Sequence, residues 1–399
     1  MPFATKTLLC SIGLLLVGHG IQLSLLPLYA NQLGWSEGTI SLTGASYFSG
    51  FMLGSMLIPK LLSKVGYIRI FLTFASLLAV VILSLGLSQD FLIWIALRFL
   101  TGLSIVAVYL AAESWLSASA KPRKRGKIFS YYALVSLLGI GIGQTLAGLS
   151  SFENLFQICA IIMLSSLIPV GLFCSEEPPL PIYTPSKISD IRELPVFVVS
   201  SIVLGAIMAG SLWSVAPLYG HERGLGIWEI SLMMNAIVFG AALFQVPLGI
   251  LSDKFDRRLI FRAVAFSCLT VLLIIPFTGN NTIFFVLCFI FGGFSLTQYA
   301  LCVALANEQT CLSKVKVSSI ILMLNGGGSV AGPLIVAGLS SYLSDALLIV
   351  CGASMFLLFV LSLVCKTPPR EATILTLEQL SQTSEPQNTT SIGETDLAA

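Results

Sequence analysis

The sequence predicts an all-α membrane protein of twelve transmembrane helices in two six-helix halves. Three observations lead there: the apolarity of the chain, the number of long apolar runs, and the distribution of Lys and Arg. Hydrophobic residues make up 56% of the 399 and charged residues 10%, against about 25% charged in soluble domains. The mean hydropathy is +0.94. A water-facing fold cannot hide that much apolar side chain, so the surrounding solvent is lipid, where each backbone amide must pair inside its own segment.

A crossing helix needs about 20 mostly apolar residues. Such runs occupy 7–30, 38–62, 69–88, 91–116, 128–150, 153–174, 195–219, 228–251, 259–278, 281–306, 315–340 and 345–366. The first is too long for a signal-peptide core and no small-residue cleavage site closely follows it, so it reads as a membrane helix. With the N-terminus in the cytoplasm, all 21 Lys and Arg except Arg98 and Arg223 fall on the cytoplasmic side. Basic residues accumulate on that side of membrane proteins. This asymmetry supports an even number of spans, an inner-membrane location and cytoplasmic N- and C-termini.

The polar, Pro-rich stretch 175–194 reads as a cytoplasmic linker between an N-terminal half, 1–174, and a C-terminal half, 195–366. Residues 367–399 are rich in Thr, Ser, Glu and Gln and read as a disordered cytoplasmic tail.

Composition also excludes several classes. A net charge of +2 makes no case for nucleic acid, and nine cysteines are scattered singly with no CxxC. Two histidines cannot build a His-rich metal site, and no Ser-His-Asp motif is recognisable. The Gly-rich runs at 139–143 and 326–332 lack the Lys-Ser/Thr partner and preceding strand of a phosphate loop. Gly139, Gly143, Gly328 and Gly332 are therefore expected to permit close helix packing. The expectation is a non-enzyme without metal or cofactor.

The halves look like a repeat. Ser63-Lys64-Val65-Gly66-Tyr67-Ile68-Arg69 aligns with Asp253-Lys254-Phe255-Asp256-Arg257-Arg258-Leu259. Gly102 precedes Tyr109 as Gly292 precedes Tyr299, and Gly139-x-x-x-Gly143 matches Gly328-x-x-x-Gly332. Such parallel repeats characterise one transporter architecture.

Finer motifs carry a family resemblance. Gly249-Ile-Leu-Ser-Asp253-Lys-Phe-Asp-Arg257-Arg258 resembles the loop signature of the major facilitator superfamily. Arg98-x-x-x-Gly102 resembles its fourth-helix motif, and Gly139-x-Gly141-x-Gly143-Gln144 its fifth-helix glycine motif. Leu25-Leu26-Pro27-Leu28, Glu113-Ser114-Trp115-Leu116 and Gln245-x-Pro247-x-Gly249 extend the likeness to the bacterial YcaD-like branch. Ser63 departs from the pattern, standing where the superfamily loop usually has Asp. The resemblance implies the major facilitator fold and acid–base clusters that brace the cytoplasmic side.

Polar residues inside spans are costly and mark functional candidates. His19, near the middle of the first span, is expected either to take a proton or substrate in a central cavity or to be a packing histidine, and Gln22 lies one turn away. Arg98 either snorkels outward or projects into the cavity, the alternative that the resemblance favours. Tyr109, Gln144, Gln298 and Tyr299 are expected either to make helix-to-helix hydrogen bonds or to line the substrate or proton pathway. Glu113 and Glu308, at helix ends, are expected either to be solvent-exposed or to pair with the basic loops, Glu113 with Arg69 or Lys64 and Glu308 with Arg257 or Arg258, which together with Asp253 make a cytoplasmic gate. The function expected is secondary active transport of a small solute by alternating access, driven by protons, in a monomer within the lipid bilayer. The alternatives are an uncoupled facilitator and a non-transporting receptor or scaffold.

Overall fold

A computed structural model describes residues 3–119, 125–149, 152–174, 177–180, 188–310, 314–343 and 345–364. Among them there is no strand. The helices of the first half are α1 (Phe3–Gln32), α2 (Glu37–Val65), α3 (Tyr67–Leu87), α4 (Phe91–Ser119), α5 (Arg125–Leu149), α6 (Phe152–Ser165) and α7 (Leu167–Phe173). Those of the second half are α8 (Val196–Glu222), α9 (Ile227–Lys254), α10 (Arg257–Ile274), α11 (Asn281–Ser295), α12 (Gln298–Glu308), α13 (Lys314–Leu339) and α14 (Ala346–Val364). A 3-10 turn, Ile188–Glu193, precedes α8. Residues 175–176 and 181–187 of the expected linker, and the whole expected tail, lie outside the described residues.

Among the described residues eleven helical segments are long and apolar enough to cross a membrane, and α2, 29 residues long, takes the place of the second expected span. Glycine and hydroxyl residues dilute the apolarity of α2, because that helix packs against protein: α4 on one side, α13 and α8 across the midline.

Two of the twelve runs divide, among the described residues, into two α-helices each, and the ninth ends in a 3-10 turn, Ile275–Phe277. The sixth divides at Ser166, whose hydroxyl donates to the Met163 carbonyl at 2.6 Å. Pro169 follows, with no amide to continue the ladder. The tenth divides after Ser295, where the Thr297 hydroxyl donates to the Gly293 and Phe294 carbonyls at 2.8 and 3.1 Å. Hydroxyl groups that bond back to the preceding turn bend helices. The bend separates α11 from α12 and sets Gln298 and Tyr299 at the start of a new helix.

One constant offset along the chain relates the two halves. It pairs Pro27 with Pro217, both inside helices, and Gly34 with Gly224, both in the left-handed region at φ 80° and 81°. It also pairs the tightest helix contacts. A Cβ on Gly50 would strike the Phe99 carbonyl, and one on Gly240 the Phe289 carbonyl. Gly102 presses on Tyr47 as Gly292 presses on Ile237. Close approach of this kind supplies dispersion contacts where lipid offers no hydrophobic drive for helices to associate. Within the first half α1 packs on α5 and α6; within the second, α8 packs on α13 and α14.

Helix directions alternate, so one face collects Lys64, Arg69, Lys127, Lys254, Arg257 and Arg258. It is called the basic face below.

Candidate functional site

The halves meet tightly on the face opposite the basic one. There α2 runs against α13 and α5 against α9. A Cβ on Gly38 would sit 3.1 Å from the Ser340 hydroxyl, and one on Gly148 2.8 Å from Ser231 Cβ. Asn235 Nδ2 donates to Thr145 Oγ1 across the same seam at 3.0 Å. Glu37, the first residue of α2 and outside the apolar run, lies at this closed mouth. Its carboxyl is raised to about 7, first by burial and then by the negative charges of Glu222 and Asp345.

Toward the basic face the halves separate around a cavity of about 460 Å³. Phe48 and Phe51 of α2, Tyr109 and Glu113 of α4, and Trp213 of α8 form part of its wall. Gln298, Tyr299 and Cys302 of α12 and Asn325 of α13 also line it. The Glu113 carboxylate accepts the Tyr132 hydroxyl at 3.1 Å. Its remaining surface is exposed, and the space it is exposed to is the cavity. Gln298 donates from Nε2 to the Ser201 carbonyl at 3.0 Å, while its Oε1 has no partner among the described residues.

The expected pathway residues therefore divide into two groups. Tyr109, Gln298 and Tyr299 line the cavity. His19, Gln22 and Arg98 do not; they are buried inside the first half. His19 Nδ1 and Gln22 Nε2 are 2.6 Å apart. The imidazole stacks near Tyr47 at 6.4 Å and meets the edge of Tyr109 at 6.5 Å, and Arg98 Cζ lies 4.7 Å over the Tyr47 ring. Arg98 Nε has no hydrogen-bond partner among the described residues. Arg98 thus faces a ring inside the protein instead of snorkelling out. Tyr109 is the element common to both groups. The offset that relates the halves puts Ala209, Leu212, Ile237 and Cys288 at the positions of His19, Gln22, Tyr47 and Arg98. The polar cluster belongs to one half alone. Gln144 is wholly buried away from the cavity, and neither of its amide atoms has a partner among the described residues.

On the basic face Arg257 and Glu308 form a two-pronged pair, Nε–Oε2 and Nη2–Oε1 each 2.7 Å, and Arg257 Nη1 donates to Ser252 Oγ at 2.7 Å. All three residues belong to the second half. Arg258 lies beside them at the start of α10, and its amide donates to Asp256 Oδ1 at 2.9 Å. The Asp253 side chain lies outside the described residues. In the first half Lys64 and Arg69 are exposed, and Glu113 has Tyr132 as its partner in place of either.

The sequence pattern offered no signal for one residue. Glu177, from the 175–194 stretch, accepts the amides of Tyr67 and Ile68 at 2.9 Å each. The Tyr67 hydroxyl donates to the Pro179 carbonyl at 3.0 Å. The helix cap that Asp256 gives α10 from its own loop is supplied to α3 by a carboxylate more than a hundred residues away, because Gly66 stands at the cap position.

The expected packing glycines lie at helix crossings. A Cβ on Gly139 would come 2.8 Å from the Gly13 carbonyl, and one on Gly143 would strike the Val17 carbonyl, both joining α5 to α1. Gly328 would meet Ala206 Cβ at 2.6 Å and Gly332 the Ile207 carbonyl, both joining α13 to α8.

The family profile described as Major Facilitator Superfamily matches residues 8–238 and 198–391. The MFS-type transporter YcaD of Escherichia fergusonii is 26% identical over 370 residues, covering 91% of this chain and 96% of its own. Two solved structures share the fold at low identity. The nucleoside transporter NupG, in a variant form, has a TM-score of 0.77 at 13% identity, over 90% of this chain and 99% of its own. A bacterial homologue of the human lysosomal transporter Spinster, inward-facing and unoccupied, has a TM-score of 0.71 at 14% identity, over 96% and 98%.

Proposed function

This chain belongs to the major facilitator superfamily, and on that premise we propose that it is a secondary active transporter that moves a small solute by alternating access and couples the movement to protons. The observation that carries the reading is the place of the cavity. It lies between the two halves, shut on one face by the α2–α13 and α5–α9 crossings and approached from the basic face. A rigid rocking of one half against the other would open the first and close the second.

The basic face is assigned to the cytoplasm of the inner membrane on the distribution of Lys and Arg, which makes this conformation inward-facing. Tyr109, Gln298 and Tyr299 contact the solute. His19, with Gln22, Arg98 and Gln144 in the same half, forms the proton pathway, and Tyr109 links it to the cavity. On the cytoplasmic face Asp253, Arg257, Arg258 and Glu308, with Lys64 and Arg69 of the first half, brace the gate. Glu113 belongs to the cavity wall by its geometry. The working unit is a monomer, since each half finds its partner within one chain.

The test is transport into proteoliposomes against a panel of metabolites and drugs, with a pH gradient imposed. Accumulation that collapses with a protonophore, and that loses its pH profile in His19→Gln, is the expected result. Flux indifferent to the gradient would make the chain a facilitator. Binding without flux in either direction would make it a receptor.

A further inference from the structure

Resting on the transporter reading above, we infer that the solute is an amphipathic organic cation of single positive charge, held by Glu113 within an aromatic cage. Among the described residues that line the cavity, Glu113 is the only charged one. No Lys or Arg among the described residues of that wall offsets it, and Tyr132 supplies one hydrogen bond to Oε1. A carboxylate at an apolar wall and not matched by a cation attracts one strongly, because the medium screens little.

The rest of the wall has the same preference. Tyr109, Tyr299, Trp213, Phe48 and Phe51 present rings, whose faces carry negative potential and hold cations. Gln298, whose Nε2 donates to the Ser201 carbonyl, adds a neutral amide to the wall and no positive charge. The donors of the wall, those on Tyr109, Tyr299, Trp213 and Asn325 among them, are all neutral, so among the described lining residues an anion would meet no opposing positive charge and would face the Glu113 carboxylate.

Size and charge number follow. A volume of about 460 Å³ falls in the range of roughly 300–1,000 Å³ typical of drug-sized ligands. One carboxylate matches one positive charge; a second charge would enter unpaired and pay its full desolvation. The apolar rings then cover the hydrocarbon body of the ligand. The cluster of His19 and Arg98 lies behind Tyr47 and Tyr109, and the tyrosine rings separate the guanidinium from the cavity.

Equilibrium binding to the full chain in lipid nanodiscs tests the assignment, with empty discs subtracted. Tetraphenylphosphonium and tetraphenylborate have the same shape and opposite charge, so their comparison on the unaltered protein needs no variant. The phosphonium is expected to bind at least tenfold tighter than the borate. Glu113→Gln is expected to weaken the phosphonium at least tenfold and to narrow the gap between the two ions. Equal binding of both ions, tighter borate, binding of neither, or a Glu113→Gln protein that folds and binds phosphonium unchanged would overturn the assignment. Gradient-driven transport of a neutral or anionic solute would remove the cation class and leave the transporter reading standing. Phosphonium binding without any flux would do the reverse.

Discussion

Arg257 and Glu308 grip each other through two hydrogen bonds of 2.7 Å, and both belong to the second half. The pair joins α10 to α12 and reaches α9 through Ser252. It therefore moves as part of one rigid half, and rocking need not break it. Side-chain exposures of 10% and 29% place it between surface and core. Removing one partner is expected to cost roughly 1.5–3 kcal/mol, as for hydrogen bonds to charged groups. Glu308→Gln and Arg257→Gln should each lower the thermal midpoint in detergent, and the double variant should be little worse than either. Fully additive losses would show that the two groups act separately.

The closed mouth predicts a pH response. Burial and the charges of Glu222 and Asp345 hold Glu37 near 7 while the mouth is shut, and parting the halves should return it toward the ordinary carboxylate range. A raised value means that the proton is bound more tightly in the shut state, so protonation favours shutting. As pH falls through 7 toward the ordinary carboxylate range, the population shut at this mouth should grow, and above about 8 the effect is absent. Glu37 is partly exposed, so solvent screening limits the change to several-fold. Distances between spin labels at 39 and 338, followed from pH 8 to pH 5, read it directly. Glu37→Gln should flatten the curve, and an unaltered curve in that variant would assign the response to another group.

The helix crossings predict opposite outcomes for two glycines. Gly143→Ala drives a methyl group into the Val17 carbonyl, and overpacking of this kind costs about 1–3 kcal/mol. Around Gly352 of α14 there is open space, and an alanine there should gain about 0.5–1 kcal/mol from reduced backbone entropy. Thermal unfolding followed by size-exclusion chromatography compares them. Equal effects would mean that the α1–α5 contact is looser than drawn.

The Glu177 carboxylate at the start of α3 predicts that the connecting segment is tethered. Glu177→Ala frees two amides at a helix N-terminus, a loss of about 0.5–2 kcal/mol for that cap. Hydrogen exchange at Tyr67 and Ile68 should quicken, and proteolysis near 177–180 should rise with it. Exchange that does not change would show another group taking over the cap.

Much of this molecule was legible in the chain alone. Hydropathy and Lys/Arg placement act locally, residue by residue, so the lipid solvent, the runs that become helices and the basic face follow from the sequence without knowledge of any contact. The repeat was also visible, because each half needs glycine where its backbones touch, as at Gly102 and Gly292. What a side chain meets depends on the rotation and crossing of helices far apart in sequence, which packing decides. Tertiary structure alone assigned Glu113 to Tyr132 and the cavity, and kept His19 and Arg98 behind tyrosine rings. It also brought Glu177 to the end of α3 and bent the tenth span at Thr297. Apart from the local bend at Thr297, each of these rests on contacts between segments far apart in sequence, which local residue patterns do not encode.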